Sequence, residues 1–112
     1  MRYPVKIDAS IAVGDKTSSL VEFLDFDRGV VELPASTKKF SLQGANSTDG
    51  TPVPFHNYHD ATATPWAVGG TVAKAVDIPE SALAFRYLQV ASDTTATAAA
   101  LSCYMHVAKS GQ

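Results

Sequence analysis

Apolar and polar residues alternate along most of this chain, and that period of two constrains its fold more than any other feature. Lys39 to Gly44 sets Phe40 and Leu42 on one face and Lys39, Ser41 and Gln43 on the other. Leu101 to Val107 repeats the pattern, with Leu101, Cys103, Met105 and Val107 opposite Ser102, Tyr104 and His106. Ala84 to Val90 groups Arg86, Leu88 and Val90 against Phe85, Tyr87 and Gln89, and Thr71 to Val76 puts Val72 and Val76 together. Ser19 to Leu24 and Gly29 to Leu33 are rich in β-formers. Half-buried strands produce this alternation, because successive side chains of a strand point to opposite faces.

Turn signals separate the runs: Val13-Gly14-Asp15-Lys16, Asp25 to Gly29, Asp49-Gly50-Thr51-Pro52, Gly69-Gly70 and Ile78-Pro79-Glu80-Ser81. Each supplies a positive φ, a fixed φ or a side chain that caps its own backbone. Short strands punctuated at intervals of about ten residues predict an all-β, antiparallel sandwich of about eight strands. The 112 residues suit one domain, taken as 1–112, with 1–13 an extended N-terminal arm or an edge strand. Pro79 to Leu83 reads as one helical turn. Thr94 to Leu101 reads as a loop leading into a strand, with Asp93 to Ala100 a hairpin connection or an arm resting on a neighbour. Gln43 to Thr51 reads as a reversal between neighbouring strands, Asp49-Gly50 being its strongest signal.

Few chemistries survive inspection. Net charge is −2 and the longest basic run is Lys38-Lys39, which argues against a phosphate-backbone binder. No segment is apolar enough over a sufficient length to span a membrane or serve as a signal peptide. The single cysteine, Cys103, alternates with apolar residues and reads as a small core residue. His56, His59 and Asp60 invite a metal, but strand residues three apart face opposite sides and no further ligand lies nearby in sequence. Asp25-Phe26-Asp27-Arg28-Gly29 begins like a calcium loop, then places a cation inside it. No phosphate loop or nucleophile elbow occurs, so neither an enzyme nor a cofactor is expected. Phe55, Tyr58 and Trp66 cluster in a Pro-containing stretch, where they either close the end of a sandwich or form a binding platform. Charged residues are only 18 % of the chain against 46 % apolar, a composition that fits a partly covered surface.

Several blocks together resemble small structural virion proteins of tailed bacteriophages. They are Gly29-Val30-Val31-Glu32-Leu33-Pro34-Ala35, Phe40 to Asn46, Thr48-Asp49-Gly50-Thr51, Ile78-Pro79, and Phe85-Arg86-Tyr87-Leu88-Gln89-Val90-Ala91-Ser92. The resemblance spans roughly residues 17 to 108 and departs from the commoner pattern at Pro52-Val53-Pro54-Phe55. It implies a jelly-roll-like sandwich and a role as a capsid decoration (cement) protein on the head. Neck, tail or fibre association is the alternative within the virion, and a carbohydrate-binding sandwich built on Trp66 and Tyr58 the alternative outside it. The implied partners are the major capsid protein or other virion proteins, and copies of the chain itself, with a trimer favoured. Neither nucleic acid nor membrane is an expected partner. The expected location is the virion, after synthesis in a bacterial cytoplasm. The residues expected at the interface are Tyr3, Val5, Ile7, Phe55, Tyr58, Trp66 and Arg86.

Overall fold

A computed structural model describes residues 5–36, 39–54, 66–67, 73–96 and 99–109. They form nine strands: β1 (Val5–Asp8), β2 (Val21–Glu22), β3 (Arg28–Leu33), β4 (Lys39–Ala45), β5 (Val53–Pro54), β6 (Trp66–Ala67), β7 (Lys74–Asp77), β8 (Tyr87–Ser92) and β9 (Tyr104–Ala108). No α-helix occurs among the described residues, and a 3-10 turn, Glu80–Ala84, is the helical turn expected after Pro79. Pro79 supplies the extended residue before it, and Ala82 anchors it in the core.

The strands make two antiparallel sheets. One has the order β1-β9-β3-β7, the other β2-β8-β4-β5, with β6 also pairing β4. Since β8 occupies one edge of β4, β5 and β6 share the other, at Gln43–Gly44 and at Lys39–Phe40 respectively. Taking β5 and β6 as one interrupted strand, the pairings nest. The Gln43–Thr51 reversal joins β4 to β5 as expected, then β3 pairs β7, β2 pairs β8 and β1 pairs β9. The chain is thus arranged as one long hairpin whose paired arms alternate between the two sheets.

Alternation explains which faces are buried. Val31 and Leu33 of β3, Met105 and Val107 of β9, Phe40 and Leu42 of β4, and Leu88 and Val90 of β8 join Ile11, Phe23 and Cys103 in one apolar cluster. Both sheets therefore bury a face in the same core. Central strand β8 departs from simple alternation, because Gln89 and Ala91 are buried as well, at 8 % and 7 % exposure. Gln89 compensates with a cross-strand hydrogen bond, its Nε2 donating to Gln43 Oε1 at 2.7 Å.

Other expectations shift in detail. The Ser19–Leu24 run keeps only two ladder residues, although Ser18 prolongs the contact: its N–H donates to Val90 O at 2.9 Å and its Oγ accepts from Val90 N–H at 3.0 Å. Ala84 ends the 3-10 turn, and Phe85 and Arg86 link it to β8. The β7 strand starts at Lys74, with Val76 packing on the core and Val72 outside the described residues. Asp93 to Ala100, expected as a hairpin connection or an arm, lies between strands of different sheets, β8 and β9, and so is not a hairpin connection. Within it Ala96 is buried and tied to this chain's own first turn, by Gly14 N–H to Ala96 O at 2.7 Å and Ala96 N–H to Asp15 O at 3.1 Å.

Candidate functional site

Three connections converge on Arg86. The β2–β3 connection reaches it through Phe23, whose N–H donates to Arg86 O at 2.7 Å. The β4–β5 connection reaches it through Asn46, whose Oδ1 accepts from Arg86 N–H at 3.0 Å. The β7–β8 connection contains Arg86 itself. Its guanidinium lies 3.9 Å from Glu22 Oε1 and 5.5 Å from the centre of the Tyr87 ring. Both groups of the ion pair are half exposed, so the pair adds little stability and leaves the guanidinium accessible. Asn46 thereby satisfies a backbone donor of its own chain.

Beneath this junction Phe85 packs on Gly44. A Cβ at Gly44 would lie 2.5 Å from the Phe85 ring, so the glycine is there for close approach and not for the turn that follows. Two of these connections carry large apolar side chains into solvent, Leu24 at 60 % exposure and Leu83 at 50 %, and Val53, which opens β5 after the third, is 53 % exposed. None of Leu24, Val53 and Leu83 is among the residues expected at the interface from sequence. Leu24 closes a run rich in β-formers, and the Asp25 turn beside it is the signal that the ladder stops.

The other expected interface residues are dispersed. Val5 and Ile7 belong to β1, the terminal strand of its sheet; Val5 is 42 % exposed, whereas Ile7 packs against the core. The segment 5–11 is thereby built into the fold of its own chain, with Ala9 N–H donating to Cys103 O and Ile11 pairing Leu101. Trp66 lies in β6, opposite Phe40 of β4. Tyr3, Phe55, Tyr58 and the His56/His59/Asp60 group lie outside the described residues.

A second surface lies on the outer face of the first sheet. An open depression of about 390 Å³ is lined by Arg28, Gly29, Val30, Asp77, His106, Val107 and Ala108. His106 Nε2 is 2.8 Å from Glu32 Oε1, and the Lys6 ammonium sits 4.2 Å above the centre of the Tyr104 ring. The depression offers a cation, an anion and an imidazole over an apolar floor. Cys103 is buried on the opposite face, and burial pushes its thiol up to about 12. The Asp25–Asp27 segment is a tight turn, where Phe26 N–H donates to Phe23 O at 3.1 Å, and no cluster of potential metal ligands occurs among the described residues. Among those residues, too, no helix is long and apolar enough to cross a membrane.

No family model matches the chain, and no curated protein or solved structure matches it.

Proposed function

We propose that this chain is a jelly-roll sandwich serving as a structural protein of a tailed-phage virion, in the first place a decoration or cement protein of the head. The observation that carries the proposal is the nested strand order. With β5 and β6 counted as one strand, the eight pair first with last, second with seventh, third with sixth and fourth with fifth, dividing as 1-8-3-6 and 2-7-4-5. Two interlocked Greek keys give that order, an architecture used by viral capsid domains and by lectins. Fold alone does not decide between such uses. The sequence blocks resembling phage virion proteins fall on β3, on β4 and its reversal, and on β8, and they favour the virion.

In this reading the protein catalyses nothing and carries no cofactor. It adds buried area across joints between capsid subunits, and many modest contacts together resist internal pressure. A specific interface of standard size buries about 1,600 Å² in total, and its energy concentrates in a few apolar and Arg anchors. The half-exposed Arg86 and the exposed Leu24, Val53 and Leu83 supply candidates for such anchors. Its partner is the major capsid protein. Net charge −2 gives no support to a nucleic-acid partner.

Copy number tests the proposal. Quantitative mass spectrometry of purified virions, scaled to the major capsid protein, should find hundreds of copies. A dozen or fewer would move the chain to the neck, tail or fibre. Absence from the particle would overturn both, and glycan binding sensitive to Trp66→Ala would then be the reading to pursue.

A further inference from the structure

We infer that the outer edge of β1 pairs with the same edge of a second copy, joining two four-stranded sheets into one continuous eight-stranded sheet about a two-fold axis at Ile7. The inference goes beyond the virion reading and does not depend on it. Among the described residues the β1 strand is terminal in its sheet, with β9 on one side. Val5, Ile7, Ala9 and Ile11 stand opposite Val107, Met105, Cys103 and Leu101. Ile11 and Leu101 exchange both backbone hydrogen bonds, and Ala9 N–H donates to Cys103 O. In an antiparallel ladder these hydrogen-bonded pairs recur at every second residue. The N–H and C=O groups of Lys6 and Asp8 therefore point away from β9, toward the outer edge.

An antiparallel partner can take only registers that keep inner faces on one side, which restricts the axis to a residue position. With Ile7 on the axis, Lys6 stands opposite Asp8 of the second copy, twice, and Ile7 meets its own equivalent. Val5 then falls opposite Ala9 on the inner side, which covers the exposed part of the Val5 side chain. Moving the axis to Lys6 sets lysine against lysine, and moving it to Asp8 sets carboxylate against carboxylate. The Lys6–Asp8 pairs are also the positions whose backbone groups point outward, so the charge pairing and the hydrogen-bonding register coincide. Both side chains are exposed. Hydrogen bonds from Ser10 hold the Asp8 carboxyl below its ordinary value, which keeps it ionised. The opposite edge, β7, has no such self-complementarity. Lys74 and Asp77 lie on different faces of that strand, so no register about a residue brings them together. Edge charges ordinarily deter strand pairing; on β1 their spacing selects a single partner, a second copy in one register.

Sedimentation equilibrium of the full chain should show a dimer. Lys6→Asp and Asp8→Lys each place like charges opposite one another and should weaken self-association about tenfold or more. An equimolar mixture of the two variants should restore the dimer, because each now complements the other; a charge effect within one chain cannot produce that rescue. Ile7→Cys tests the register. Residues facing each other across a non-hydrogen-bonded pair are about 4.5 Å apart at Cα, within disulfide range. The variant should cross-link on mild oxidation, while Val5→Cys, separated from its equivalent by roughly 14 Å, should not. A monomeric wild type, the trimer suggested by three-fold capsid positions, a mixture that stays dissociated, or equal cross-linking at Val5 and Ile7 would each overturn the inference.

Discussion

Single residues here are decided by space and by hydrogen-bonding capacity. Gly44 is the clearest case. Its sequence neighbours Asn46, Asp49 and Gly50 suggest a turn glycine, yet what excludes a larger side chain is the Phe85 ring packed against it. Gly44→Ala should destabilise the fold by about 1–3 kcal/mol, read as a lower denaturation midpoint at unchanged slope. Gly14, by contrast, has a φ of 93° and open space around its Cβ position, so it is there for backbone conformation. Cys103 illustrates burial. Its thiol, ordinarily 9.0, is raised to about 12 because the thiolate would be desolvated. Native protein at about pH 8 should therefore resist thiol reagents and react only on unfolding. The unfolded thiol ionises first, so stability falls as pH rises from 9.0 toward about 12. Cys103→Ala should lose that component of the alkaline decline while other groups continue to titrate.

At the scale of elements, the short strands persist because side chains extend their ladders. The β2 strand has only two ladder residues, yet Ser18 gives and takes a hydrogen bond with the Val90 backbone. Ser18→Ala would leave the Val90 N–H buried without an acceptor. It should cost about 1–3 kcal/mol and raise amide exchange at Val90 in particular. Asn46 acts similarly for the Arg86 N–H, but at an exposed site where water can replace it. Asn46→Ala should accordingly cost less, about 0.5–1.5 kcal/mol.

The molecule as a whole is organised by strand order. Each sheet draws on both arms of the nested hairpin, so neither can form its core face without the other. Thermal and denaturant unfolding should be a single transition, with tryptophan fluorescence and far-UV circular dichroism coinciding; separate midpoints would show two independent units. The same order gathers three connections at Arg86, and Leu24 and Leu83 on two of them stand exposed. If this end seats on a capsid, Leu24→Asp and Leu83→Asp should reduce occupancy on particles while leaving the thermal midpoint nearly unchanged.

The sequence by itself determined the all-β class and most strand positions, because a half-buried strand must alternate and a reversal must use Gly, Asp, Asn or Pro. It located β3 and β4 almost to the residue, and β9 with a start three residues too early. It also made Cys103 a core residue, since its neighbours two positions away are apolar. It did not determine that Gln89 and Ala91 are buried, that Thr94 to Leu101 crosses between sheets, or that Asn46 serves Arg86. Those outcomes depend on which strands become neighbours, and a local pattern carries no information about contacts between residues 40 to 90 positions apart. Those placements, like Arg86 beside Asn46 and Lys6 and Asp8 on an outer edge, exist only once the strands have found their neighbours.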